Sequence, residues 1–188
     1  MKAGIIFLGF LSLCFGSVVI AESGLEGAKA PEFALKNVDG EQVRLSQYLA
    51  KGPVLLDFWA TWCAPCKQAI PHLAEIYDNY KDQGFSLFAI SIDNTRSMGK
   101  VRPYVKSLNF QFPVLLDPDQ EVLKKYRGNN VPHTVLIAPD STIQRVWIGY
   151  QPGEEKEIEK AVKALFPIKE KPTLDKPVEE MPVEENKE

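Results

Sequence analysis

Cysteine and histidine are scarce in this chain: its 188 residues include three of the first and two of the second. Three cysteines are too few for a small disulfide-stapled fold, and too few for a tetrahedral zinc site unless the histidines complete it. A basic excess is also missing. The formal net charge of −3 argues against a nucleic-acid binder that works by neutralising phosphates. There is not enough length for two ordinary domains with linkers. Hydrophobic residues at 45% and charged residues at 25% match an ordinary globular protein and leave no room for wholesale disorder, collagen or coiled-coil architecture.

Charge is nearly absent from the first segment, where Lys2 is the only charged residue before Glu22 and the stretch between them is mostly apolar. A basic start, an apolar run, and small Val19 and Ala21 ahead of Glu22 describe a secretory signal peptide over 1–21. The uncharged run is close to the ~20 residues that span a bilayer, so an uncleaved membrane anchor is the other outcome. Both place the remainder outside the cytoplasm, in a periplasm-like compartment, and only the anchor gives the chain a membrane contact. Cys14 lies in this segment behind the large Leu13, which disfavours a lipid-attachment site. The mature chain then has two cysteines, Cys63 and Cys66, in a compartment that permits disulfides.

The other end lacks any apolar pattern. Prolines recur at 167, 172, 177 and 182, among four lysines and seven acids, so 167–188 reads as a disordered tail. Residues 22–30 read as a linker. The domain expected over 31–166 is neutral, because the acidity sits mainly in the tail.

Within that domain Pro53 to Ala60 (PVLLDFWA) is a buried strand. After Cys63 the spacing of Ile70, Leu73, Ile76, Tyr77 and Tyr80 predicts an amphipathic helix, kinked at Pro71 and closed by Gly84. Strands are expected at 85–92, 113–116, 133–138 and 142–149, the last two as an antiparallel hairpin turning at 139–141. Helices are expected over 97–108, where Pro103 favours a start near Arg102, from an Asp119 cap through Tyr126, and over 154–165. This alternation predicts an α/β fold with a central mixed sheet flanked by helices, and sites at the carboxyl ends of parallel strands.

Cys63-Ala64-Pro65-Cys66 joins such a strand end to a helix start. Cysteines with two residues between them can close a small ring, and unsatisfied helix N–H groups favour a thiolate at the first. Cys63 is therefore the expected nucleophile, with Cys66 resolving the mixed disulfide. Pro65 stiffens the ring in the first turn, where proline is tolerated. A ring this small removes little chain entropy, so a purely structural bridge would add little.

The stretches VLLDFWATWCAPCK, 54–67, and NVPHTVLI, 130–137, resemble the thioredoxin superfamily. More closely, the chain is similar over 31–166 to exported TlpA/ResA-like thiol-disulfide oxidoreductases, and 93–126 is similar to their strand/helix insertion. The resemblance implies a thioredoxin-like fold, a cis peptide before Pro132, and a substrate groove lined by Trp62, Pro65, Val131 and Pro132. It implies cysteine-containing substrate proteins as partners, with no nucleic acid, cofactor or metal. It further implies a membrane thiol transporter as electron donor, and a reducing role that extends to preparing apocytochrome cysteines for haem attachment. Asp57, an acid inside an apolar strand, matches the thioredoxin aspartate that accepts a proton from the second cysteine; its lysine partner is replaced by Ala89. Two departures stand out: Ala69 replaces a glutamate common in TlpA-like proteins, and His133 replaces a threonine. His133 is either a tuning residue or a plain loop-edge histidine. Trp59 and Trp147 are expected in packing, and His72 facing solvent.

Two other functions stay open. A peroxiredoxin-like peroxidase would want a proline seven and a threonine three residues before Cys63, where Leu56 and Ala60 stand. A copper chaperone could use both thiolates with His133, since soft sulfur suits Cu(I).

Overall fold

The computed structural model describes residues 24–166, so the leader with Cys14 and the proline-rich tail lie outside the described residues. Seven strands form one mixed sheet: β1 (Ala34–Asn37), β2 (Gln42–Arg44), β3 (Val54–Trp59), β4 (Ser86–Ser91), β5 (Val114–Leu116), β6 (His133–Ile137) and β7 (Ile143–Ile148). Their spatial order is β2-β1-β5-β4-β3-β6-β7. Strands β3, β4 and β5 run parallel, and the others join antiparallel. Every residue of β3 and β4 is buried, which is why their sequences are continuous apolar runs rather than alternations.

Among the described residues five α-helices accompany the sheet: α1 (Leu45–Leu49), α2 (Ala64–Tyr80), α3 (Val101–Leu108), α4 (Glu121–Lys125) and α5 (Glu154–Ala164). Helix α2 buries Cys66, Ala69, Ile70, Leu73 and Ile76, the stripe its spacing describes, and continues beyond Pro71 to Tyr80. A 3-10 turn follows and ends at Gly84, whose φ is +98°. A Cβ there would lie 2.3 Å from the Lys51 carbonyl oxygen, so glycine answers both the left-handed backbone and the close approach. Helix α5 opens with Glu154, Glu155 and Glu157 in its first turn, where the helix dipole favours acids.

The inserted segment places α3 and β5 between β4 and α4, and β5 sits between β4 and β1. Four differences from the sequence reading stand out. The hairpin β1–β2 and helix α1 were not foreseen. Asp119 does not cap α4: the cap position is Gln120 in the left-handed region. The Asp117 carboxylate instead accepts from the N–H groups of Val122 and Leu123, at 3.3 and 2.9 Å. In the 97–108 region a short 3-10 turn stands ahead of α3, whose first residue, Val101, agrees with the start near Arg102 that Pro103 favours. Finally, the described part of the expected linker lies along β7: Gly27 donates to Ile143, which donates back to Ala28, and Leu25 is buried.

Phe58 of β3 pairs with His133 of β6. That register brings the segment before β6 beside the end of β3, where Cys63 follows within four residues.

Candidate active site at the end of the central strand

Cys63 and Cys66 are joined by a disulfide with an S–S distance of 2.03 Å. Cys63 occupies the cap position of α2, so its sulfur faces the first-turn donors, and the Cys66 N–H points at it from 3.2 Å. That donor and the helix dipole favour negative charge on this sulfur once the bond is reduced. Ala64 and Pro65 fill the first helical positions, where the missing proline N–H is not needed. Cys63 retains 4% exposure and Cys66 none. Of the two residues, therefore, only Cys63 retains surface that a partner can approach.

A second device fixes the approach to α2. The Asp93 carboxylate, just beyond β4, accepts from the Thr61 N–H at 2.8 Å, the Thr61 hydroxyl at 2.7 Å and the Ser91 hydroxyl at 3.0 Å. The Cys63 N–H donates to the Ala60 carbonyl at 3.0 Å. The two residues before Cys63 are thus held from both sides, while Trp62, between the anchors, is 63% exposed.

The predicted partner loop also arrives. The Val131–Pro132 peptide is cis, and the Val131 carbonyl oxygen lies 3.7 Å from Cys63 Sγ. Proline brings no N–H of its own, and its carbonyl accepts from the Gly149 N–H at 2.8 Å. The structure therefore gathers Trp62, Cys63, Pro65, Cys66, Val131 and Pro132 at one end of the sheet.

Asp57 is at the middle of β3, level with Ala89 of β4 and Thr134 of β6. It is 1% exposed. The Thr134 hydroxyl donates to Oδ1 at 3.1 Å, whereas Oδ2 has no partner. Burial raises its pKa to about 7, against a smaller lowering by the Thr134 hydrogen bond. A carboxyl poised there exchanges a proton near neutral pH.

His133 is no loop-edge residue. It is 1% exposed, and its Nε2 lies 3.0 Å from the Tyr126 carbonyl oxygen. Burial lowers its pKa, so the ring is neutral around pH 7. With Nε2 engaged in the core, it is not a ready third ligand beside the cysteines. Trp59 is buried against Tyr104, with ring centroids 5.3 Å apart, and Trp147 is buried on β7. The His72 side chain is half exposed, 3.9 Å from Glu75. Among the described residues, Asp93 and Tyr126 are the site supports that sequence reasoning missed. The available signal for Asp93 was an acid directly after the apolar run FSLFAISI.

The chain is similar to known proteins in sequence and in fold. A family model described as the AhpC/TSA family matches residues 27–146. The chain is 38% identical over 128 residues to the thiol-disulfide oxidoreductase ResA of Bacillus subtilis strain 168, covering 68% of this chain and 70% of that protein. It is 32% identical over 141 residues to ResA of Geobacillus kaustophilus, covering 75% and 78%. Among solved structures it resembles a thiol:disulfide interchange protein from a Bacteroides species, with a TM-score of 0.64 and 26% identity over 77% of this chain and 93% of that one. It also resembles the thioredoxin domain of a thiol-disulfide oxidoreductase from Bacteroides vulgatus, with a TM-score of 0.61 and 26% identity over 73% and 97%.

Proposed function

The chain belongs to the AhpC/TSA family within the thioredoxin superfamily and is a thiol-disulfide oxidoreductase; from that premise we propose that it works outside the cytoplasm as a reductant of protein disulfides. The observation that carries the reading is the Cys63–Cys66 pair capping α2, with its first sulfur against the Val131 carbonyl. In the reducing direction the Cys63 thiolate attacks a substrate disulfide, forming a mixed disulfide and expelling one substrate thiolate. Cys66 then loses its proton to Asp57, directly or through water, and attacks Cys63 Sγ. The Cys63–substrate bond breaks, and the second substrate sulfur leaves as thiolate. Two electrons have passed to the substrate, and the protein holds its own disulfide.

Trp62, Pro65, Val131 and Pro132 line the groove for an extended substrate segment, with the exposed indole and the Val131 backbone as its nearest contacts. The cysteine partners are proteins with exposed disulfides. Oxidised apocytochrome suits this chemistry, and a membrane thiol transporter is the proposed electron donor, reached from a periplasm-like compartment. The leader at 1–21, cleaved or kept as an anchor, supports that location. Among the described residues no helix is long and apolar enough to cross a membrane.

Peroxiredoxin-like peroxidase chemistry is the second reading. Against it, the buried Leu56 and Ala60 occupy the positions where the peroxidatic pattern needs proline and threonine.

A full-length Cys66→Ser variant tests the proposal. Cys63 should accumulate substrate proteins as adducts released by dithiothreitol, and those proteins name the substrate class. If no reducible adduct forms and Cys63 alkylates no faster than a free model thiol, the reductant reading fails.

A further inference from the structure

The loop that carries Val131 is bridged across its base by the His133 side chain. Tyr126 ends the turn after α4, and residues 127–131 lead from it to Pro132. His133 then reaches back seven residues and bonds the Tyr126 carbonyl through Nε2 at 3.0 Å. A carbonyl only accepts, so Nε2 carries the ring proton. The imidazole is further enclosed by Phe58, its centroid 5.9 Å away, and Phe58 lies at the same distance from Tyr126. Tyr126 is itself anchored, because its hydroxyl donates to the Pro31 carbonyl at 2.8 Å. The loop fits closely over this arrangement: a Cβ on Gly128 would lie 2.2 Å from Leu123 Cδ1 and 3.2 Å from His133 Cδ2.

What the loop presents to the active site is the negative end of the Val131 carbonyl, 3.7 Å from Cys63 Sγ. In the dithiol state that oxygen can accept the Cys63 S–H, which favours thiol over thiolate and opposes the Cys66 N–H on the other side. We propose that His133 is a positioning residue for the redox reaction: its bond to Tyr126 holds the Val131 carbonyl against Cys63 and so restrains the fraction of Cys63 present as thiolate. The inference rests on the oxidoreductase reading and deepens it.

The test follows Cys63 alkylation against pH in a full-length Cys66→Ser background. His133→Phe keeps a ring against Phe58 and removes the donor, and His133→Gln retains an N–H donor. The Phe variant should shift the Cys63 titration downward by roughly half to one pH unit, the worth of one hydrogen bond, or about three- to tenfold more thiolate below the midpoint. The Gln variant should return toward the parent. Gly128→Ala crowds His133 and Leu123 from the loop side and should shift Cys63 in the same direction; it decides the matter if the Phe variant does not fold. A folded variant whose Cys63 titration is unmoved or shifts upward overturns the role of His133. Adducts trapped by the parent Cys66→Ser protein test the oxidoreductase reading separately, so failure of one is distinguishable from failure of the other.

Discussion

At the scale of single residues, Asp57 couples function to stability. Burial pushes its carboxyl up to about 7 in the folded chain, from an ordinary value of 3.8. Between those values the folded chain holds a proton that the unfolded chain has released, so stability falls as pH rises through this window and the loss is complete above about pH 7. Asp57→Asn cannot ionise. Urea unfolding should therefore show the wild type losing on the order of 2–3 kcal/mol relative to the Asn variant between pH 5 and pH 8. A constant difference between the two would remove the buried-acid account. In single-turnover reduction at pH 7.5 the same variant should slow resolution by Cys66 by on the order of a hundredfold, and unchanged kinetics would return Asp57 to a structural role. Asp93 acts differently, holding Thr61 and Ser91. Asp93→Ala leaves those donors unmatched and should cost about 1–3 kcal/mol, measurable as a lower urea midpoint. Cysteines with two residues between them at a helix start, and an acid inside an apolar strand, were legible because each is costly or unusual where it stands. Asp93 and Tyr126 were not, since their partners are distant in sequence and the types alone are ordinary.

At the scale of elements, legibility followed burial. Strands β3 and β4, buried along their whole length, and α2, with its apolar stripe, were placed to within a residue or so. The β1–β2 hairpin was missed because strands of four and three residues that are only partly buried carry too few periods to register. The cap of α4 shows a different limit. Asp119 is nearer the helix, but the left-handed Gln120 turns the chain so that Asp117 meets the free N–H groups, and side-chain spacing does not encode that turn. Asp117→Ala should cost roughly 1–2 kcal/mol, whereas Asp119→Ala should be close to neutral. Equal losses in thermal unfolding of the two variants would contradict the assignment.

At the scale of the whole molecule, the redox centre is a small addition to a fold already held by its sheet. The mixed seven-stranded sheet, with its parallel trio in the middle, fixes where the cysteines emerge, and the start of the domain is tied down by backbone bonds such as Ala30 to Ser141. Local periodicity predicted the strand and helix order, but not that β5 would join β1 and carry the hairpin into the same sheet, because long-range pairing leaves no local trace. A disulfide between residues three apart in sequence restricts only a short loop of the unfolded chain, worth about 2 kcal/mol by loop-closure entropy. Reduction should therefore lower the urea midpoint while leaving the denaturant slope nearly unchanged, since the same surface is exposed on unfolding. A drop several times larger, or a markedly different slope, would show that the dithiol form relaxes well beyond the Cys63–Cys66 turn. The sheet would then no longer be a frame independent of the redox state, and each turnover would have to include a rearrangement of the fold.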